Sequence, residues 1–138
     1  KKWVTRKDVY IDRIASAWLI HRFIDPKAKF VFLAKSNDKA PNDTIPFDMY
    51  GAEFTHHGDD CTFETLIKAF DLKDPALQSI AEIVHDIDLS DSKYDRKEAE
   101  GIGQIITGLS KKLRNDNKLL EKGLEIFDAL YQYYFSKK

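Results

Sequence analysis

At 138 residues, with 43% apolar and 33% charged side chains, the chain has the size of one domain with a substantial core. Lys plus Arg (22) against Asp plus Glu (23) leaves a net charge of −1, which excludes a broad polyanion-binding surface, so no direct nucleic-acid contact is expected from this domain. The single cysteine, Cys61, excludes an internal disulfide framework and points to a reducing, cytoplasmic setting, and no apolar run approaches the roughly 18 residues of a membrane span. The chain begins at Lys1 rather than Met and reads as a single domain over residues 1–138, either a processed product or a fragment of a longer protein.

Over residues 9–24, Val9, Ile11, Ile14, Ala15, Trp18, Leu19 and Phe23 recur at three- and four-residue steps, which predicts a first helix stopped by Pro26. Phe30-Val31-Phe32-Leu33 reads as a strand, followed by a polar loop over residues 36–42. Ile45-Pro46-Phe47 and Glu53-Phe54-Thr55-His56 read as two more short strands around Gly51, with Pro46 placing the first at an edge. Helices follow to the end. One starts at Thr62, and a second at Pro75 with Asp74 as its cap. A third covers residues 95–113, where Gly101, Gly103 and Gly108 suggest close packing against a neighbour, and a long amphipathic helix covers residues 115–135. The expectation is an α+β fold, predominantly helical, with about five helices and a small sheet of short strands.

Three of the four histidines fall between positions 56 and 85, among carboxylates. Divalent transition metals take neutral imidazole and carboxylate donors from different elements, and a helix offers two ligands on one face at three- or four-residue spacing. His85 and Asp88 have that spacing and share the inward side of their helix with Val84, while Glu82 and Asp86 turn away. His56 shares a strand face with Phe54, His57 follows at the strand end, and Glu64 lies one helical turn beyond. His56, His57, Glu64, His85 and Asp88 are therefore the candidate metal ligands, the alternative being a buried polar network. Cys61 before a helix start reads as a small buried residue rather than a nucleophile, His21 as a surface residue and Trp18 as core. Asp12 and Arg13 precede the small residues Ala15, Ser16 and Ala17. Arg13 is the natural oxyanion ligand because its planar fork matches tetrahedral oxyanions, against the simpler reading of a local surface ion pair.

Several motifs, in order, resemble one known family. They are Trp3-Val4-Thr5-Arg6, Ile11-Asp12-Arg13-Ile14-Ala15-Ser16-Ala17-Trp18, Pro46-Phe47-Asp48-Met49, His56-His57-Gly58, Thr62-Phe63-Glu64 and Glu82-Ile83-Val84-His85-Asp86-Ile87-Asp88. Together they are similar to the chromate resistance proteins, in particular to the ChrB-type C-terminal domain, over almost the whole chain. The resemblance implies a role in bacterial chromate resistance and metal stress response, in a domain found alone or behind an N-terminal segment in chromate-responsive regulators.

Two functions follow. In one, a metal ion held by the His and carboxylate cluster senses chromate or metal stress, with Asp12 and Arg13 as a binding site for the small oxyanion. In the other, an iron or manganese ion makes the domain a redox enzyme that detoxifies chromate or reactive oxygen species. Nitrogen and oxygen ligation suits Fe, Mn or Zn alike, and zinc would exclude redox cycling at the metal. Gly101-x-Gly103 lies within a helical stretch and is a poor phosphate cradle, which disfavours a nucleotide-dependent enzyme. The aromatic stretch 131–135 either packs on the core or forms a homodimer contact.

Overall fold

The computed structural model describes residues 1–34, 39–49 and 51–136. The polar loop expected over residues 36–42 lies partly outside these. A small parallel sheet is built from β1 (Lys2–Arg6), β2 (Lys29–Leu33) and β3 (Thr44–Pro46) in the order β2-β1-β3. Five helices complete the chain: α1 (Ile11–Leu19), α2 (Thr62–Ala69), α3 (Pro75–Leu89), α4 (Lys97–Leu113) and α5 (Asp116–Ser136). The fold is α+β with a helical majority, as the pattern of apolar residues predicts.

β1 is the central strand, with Val4 opposite both Val31 and Pro46. Trp3, Val4 and Thr5 are all buried, so both faces of β1 are covered and the strand shows no polar alternation. Pro46 sits on edge strand β3, where its missing N–H breaks no ladder. The strand expected at Glu53 to His56 is reduced to a single bridge between Phe47 and Phe54. Gly51 and Gly58, both at positive φ, turn the chain on either side of it.

The first helix is α-helical only to Leu19 and widens into a π-helical turn, Ile20–Ile24, closed by Asp25 N–H to the Ile20 carbonyl at 2.6 Å. Asp25 is fixed there by the Trp3 indole N–H at 2.9 Å, which draws the helix end onto the sheet. α1 is the hub of the core. Trp18 stacks parallel to Phe63 of α2 and lies 5.8 Å from Phe127 of α5, and its indole N–H donates to Asp128 at 2.8 Å. Gly123 of α5 lies against Ile14 so closely that a Cβ there would overlap the Ile14 side chain.

On α4 the close packing expected of three glycines occurs at Gly103, where an added Cβ would stand 3.4 Å from the Ile87 side chain, whereas Gly101 and Gly108 face open space. The C-terminal aromatics divide. Tyr131 packs on Trp18 and Phe23, and Tyr134 donates to Glu98 at 2.6 Å, while Tyr133 and Phe135 are exposed.

Candidate metal centre at the carboxyl edge of the sheet

The segments leaving the carboxyl ends of β1 and β3 meet at the first turns of α1 and α2, the edge of a parallel sheet where ligand sites gather. Arg13 ties the two strand ends together. Its guanidinium donates to the Arg6, Lys7 and Asp48 carbonyls and sits 3.1 Å from the Asp48 carboxylate. All three of its nitrogens are engaged within the protein. Asp48 adopts a left-handed backbone conformation (φ 49°), which an aspartate tolerates better than most residues, and its carboxylate accepts from the Thr62 hydroxyl at 2.9 Å.

Asp12 is 3% exposed and serves the N-terminus of α2, with Thr62 N–H donating to one of its oxygens at 2.9 Å and Phe63 N–H to the other at 3.0 Å. These amides have no partner inside their own helix, so the fold gives a buried carboxylate a structural reason to be there. His56 then reaches in, its Nε2 lying 3.2 Å from Asp12, 3.3 Å from Asp88 and 3.8 Å from Asp48. One N–H cannot serve three carboxylates. Asp88 receives no hydrogen bond from any described residue, and its one ion-pair partner among them is His56, with the more distant charge of His85 also acting on it.

The electrostatics follow from this crowding. Burial, and then the charge of Asp12, push both Asp48 and Asp88 up to about 6. The hydrogen bond from His56 to Asp12, with the charges of Asp12, Asp88 and Asp48, raises the imidazole to about 9 against the opposing effect of burial. Ligand atoms of Asp12, Asp48 and His56 lie within 4.8 Å of one another, a grouping able to hold a metal ion.

A second cluster lies on the other side of the α2 N-terminus. Glu64, in the first turn, accepts the Cys61 N–H at 3.0 Å and contacts His85 Nδ1 at 2.6 Å. The other ring nitrogen of His85 is 2.9 Å from Asp91, and the Tyr94 hydroxyl donates to Glu64 at 3.3 Å. Burial pulls the His85 imidazole down, but its bonds to Glu64 and Asp91 outweigh that and leave it above its ordinary value. Burial, and then Asp12, push the Cys61 thiol up, which keeps it protonated and poorly nucleophilic.

The sequence candidates thus fall into two places rather than one. His56 and Asp88 join Asp12 and Asp48, whereas Glu64 and His85 join Cys61, Asp91 and Tyr94. His57 belongs to neither: it is exposed and its ring bonds the Glu53 carbonyl at 2.6 Å. Asp86, expected to turn outward, is 8% exposed and accepts the Tyr94 and Arg96 amides, fixing the loop after α3. Sequence reasoning missed Asp48 as a site residue, although it lies in the Pro46-Phe47-Asp48-Met49 motif. Asp91 and Tyr94 carry no comparable signal, because only the chain reversal at Ser90, left-handed at φ 52°, returns them to His85.

A family model described as "ChrB, C-terminal domain" matches residues 3–134. A protein named Protein ChrB from Cupriavidus metallidurans is 37% identical over 139 residues, an alignment that takes in 100% of this chain and 42% of that protein. The chain therefore spans less than half the length of this relative. No solved structure matches the chain.

Proposed function

The chain belongs to the ChrB C-terminal domain family, and from that premise we propose that it is a cation-binding domain of a chromate-resistance protein, with Asp12, Asp48, His56 and Asp88 as the site that senses metal stress. The observation that carries this reading is Asp88, a half-buried carboxylate beside Asp12 and Asp48 that accepts no hydrogen bond from any described residue and whose one ion-pair partner among them, His56, it shares with both. A half-buried anion in that state is destabilising unless a cation joins it. The donor set fits, since three carboxylates and one imidazole suit iron, manganese or zinc.

Metal–ligand bonds of about 2.0–2.2 Å place neighbouring ligand atoms roughly 3 Å apart, and His56 Nε2 lies 3.2 Å from Asp12, 3.3 Å from Asp88 and 3.8 Å from Asp48, so Asp12, Asp48 and His56 form the compact grouping and Asp88 joins it through His56. In this assignment Asp12 also anchors α2 and Arg13 positions Asp48. Chromate, a dianion, would meet three carboxylates here and an arginine whose donors are already used, so the domain responds to a cation rather than to chromate itself.

The redox-enzyme reading draws support from one feature, the 44% exposure of the His56 side chain, which gives solvent and small molecules access to the site. A bound iron or manganese ion would supply one-electron chemistry there, and zinc only charge. Elemental analysis of natively purified domain tests the proposal and separates the readings. A near-stoichiometric metal, lost from His56→Ala while circular dichroism remains native, is expected. A wild-type domain that carries no metal and takes up none on titration with manganese, iron or zinc would refute it.

A further inference from the structure

We propose that Cys61, Glu64 and His85 form a second, fully enclosed metal site, selective for softer divalent ions of the zinc and cobalt type. Sulfur, oxygen and nitrogen donors of these residues lie within 4.8 Å of one another, and all three side chains are buried. A thiolate is a soft donor that the carboxylate-rich site lacks, so the two clusters differ in kind of ion as well as in place.

The surroundings are those of a ligand set. A metal-bound histidine nearly always donates its outer ring N–H to a carboxylate, a backbone carbonyl or water, which fixes the tautomer and turns the inner nitrogen toward the ion. His85 has that arrangement, with Nε2 on Asp91 at 2.9 Å and Nδ1 facing Glu64 and Cys61. The Tyr94 hydroxyl orients Glu64 from its far oxygen, and Asp86 secures the loop that carries both Asp91 and Tyr94 through two backbone amides. A Glu64 and His85 pair serving only to fill the core needs none of this outer layer. Asp91, with 44% of its side chain exposed, marks where the cluster meets solvent and where an ion would enter.

Charge balance explains how so enclosed a place can take a divalent ion. On binding, the Cys61 Sγ proton and any proton on His85 Nδ1 leave to solvent as sulfur and nitrogen bond to the ion, and with the Glu64 carboxylate the thiolate offsets the charge of a divalent ion, which limits the Born cost of burying it. Tetrahedral ligands at about 2.0–2.1 Å from a metal stand roughly 3.3 Å apart, so Glu64 and His85, now 2.6 Å apart, separate by roughly 0.7 Å.

Cobalt titration of the whole domain tests this, because only a thiolate ligand gives a near-ultraviolet sulfur-to-cobalt charge-transfer band. The expected result is that band in wild type at saturating cobalt, its loss in Cys61→Ala together with one equivalent of bound cobalt, and its persistence in Asp88→Asn. The wild-type spectrum alone is decisive if Cys61→Ala fails to fold. Absence of the band in folded, cobalt-saturated wild type would overturn the proposal. Its disappearance in Asp88→Asn would overturn the claim of a separate site, and neither result bears on manganese or iron uptake at the carboxylate cluster.

Discussion

Two histidines on opposite sides of the α2 N-terminus meet opposite fates in this protein. His56 is 44% exposed and must share one nitrogen among three carboxylates, whereas His85 is fully buried and has a separate carboxylate for each nitrogen. In the first cluster Asp12 and Asp48 are supplied by the α2 amides, Thr62 and Arg13, and the carboxylate left without a hydrogen-bond donor among the described residues is Asp88. The second is balanced in hydrogen bonds, with Glu64, His85 and Asp91 all partnered. An open cluster with a spare carboxylate suits an exchangeable cation, whereas an ion entering the balanced one must displace protons first.

The comparison can be broken by mutation, beginning with the balanced side. His85→Ala leaves the Glu64 carboxylate buried without its charged partner and opens a cavity, so it is expected to lower stability by about 3–5 kcal/mol in urea unfolding. A loss below about 1 kcal/mol would show that this pair contributes little. Asp12→Ala removes the acceptor of the Thr62 and Phe63 amides, an effect of about 2–4 kcal/mol that also abolishes metal uptake at the open cluster. Gly123→Ala, placed against Ile14 and far in sequence from both clusters, is expected to cost about 1–3 kcal/mol by overpacking. Metal stoichiometry, read by elemental analysis, stays unchanged in that variant.

The smallest effect has the opposite sign. Asp88 has its folded-state value raised from 3.8 to about 6, so the folded domain holds that proton more tightly than the unfolded chain, and stability contributed by it is lost as pH rises through that window. His56, raised from 6.5 to about 9, acts in the same direction at higher pH: its contribution is full below 6.5 and lost as pH approaches 9. Both groups therefore favour the metal-free fold on the acidic side, while Asp25 and Asp91, held below their ordinary values, act in the opposite direction. Asp88→Asn should raise metal-free stability by about 1 kcal/mol at pH 8 and change little at about pH 3, where Asp88 is largely protonated in both states. Thermal melts at the two pH values in a chelating buffer check this.

The helical part of the molecule was legible in the sequence because its signals are local. Asp74 caps α3 through the Ala76 amide at 2.9 Å, ahead of Pro75 at the first helical position, and Pro46 lies on an edge strand. The central strand β1 was not legible. Its five residues are flanked by charge and covered on both faces, which erases the alternation by which a short strand is read. The site was legible in composition but not in partition. Spacing brings His85 and Asp88 to neighbouring positions on α3, yet the α2 N-terminus lies between their partners and sends one to Glu64 and the other to His56. No periodicity reports that separation, nor the return of Asp91 to His85 through a left-handed serine.

Completion of the open cluster by a cation is decided by melting Asp88→Asn beside wild type at pH 8, with chelator and with saturating manganese, a hard ion the thiol-containing cluster disfavours. Without metal the variant should melt above wild type. With metal the order should reverse, because a ligand present at about 100 times its dissociation constant stabilises the folded state by about 2.7 kcal/mol and the variant has lost a ligand. If metal raises neither protein, the cluster is not a metal centre, and if it raises both equally, Asp88 is not one of its ligands.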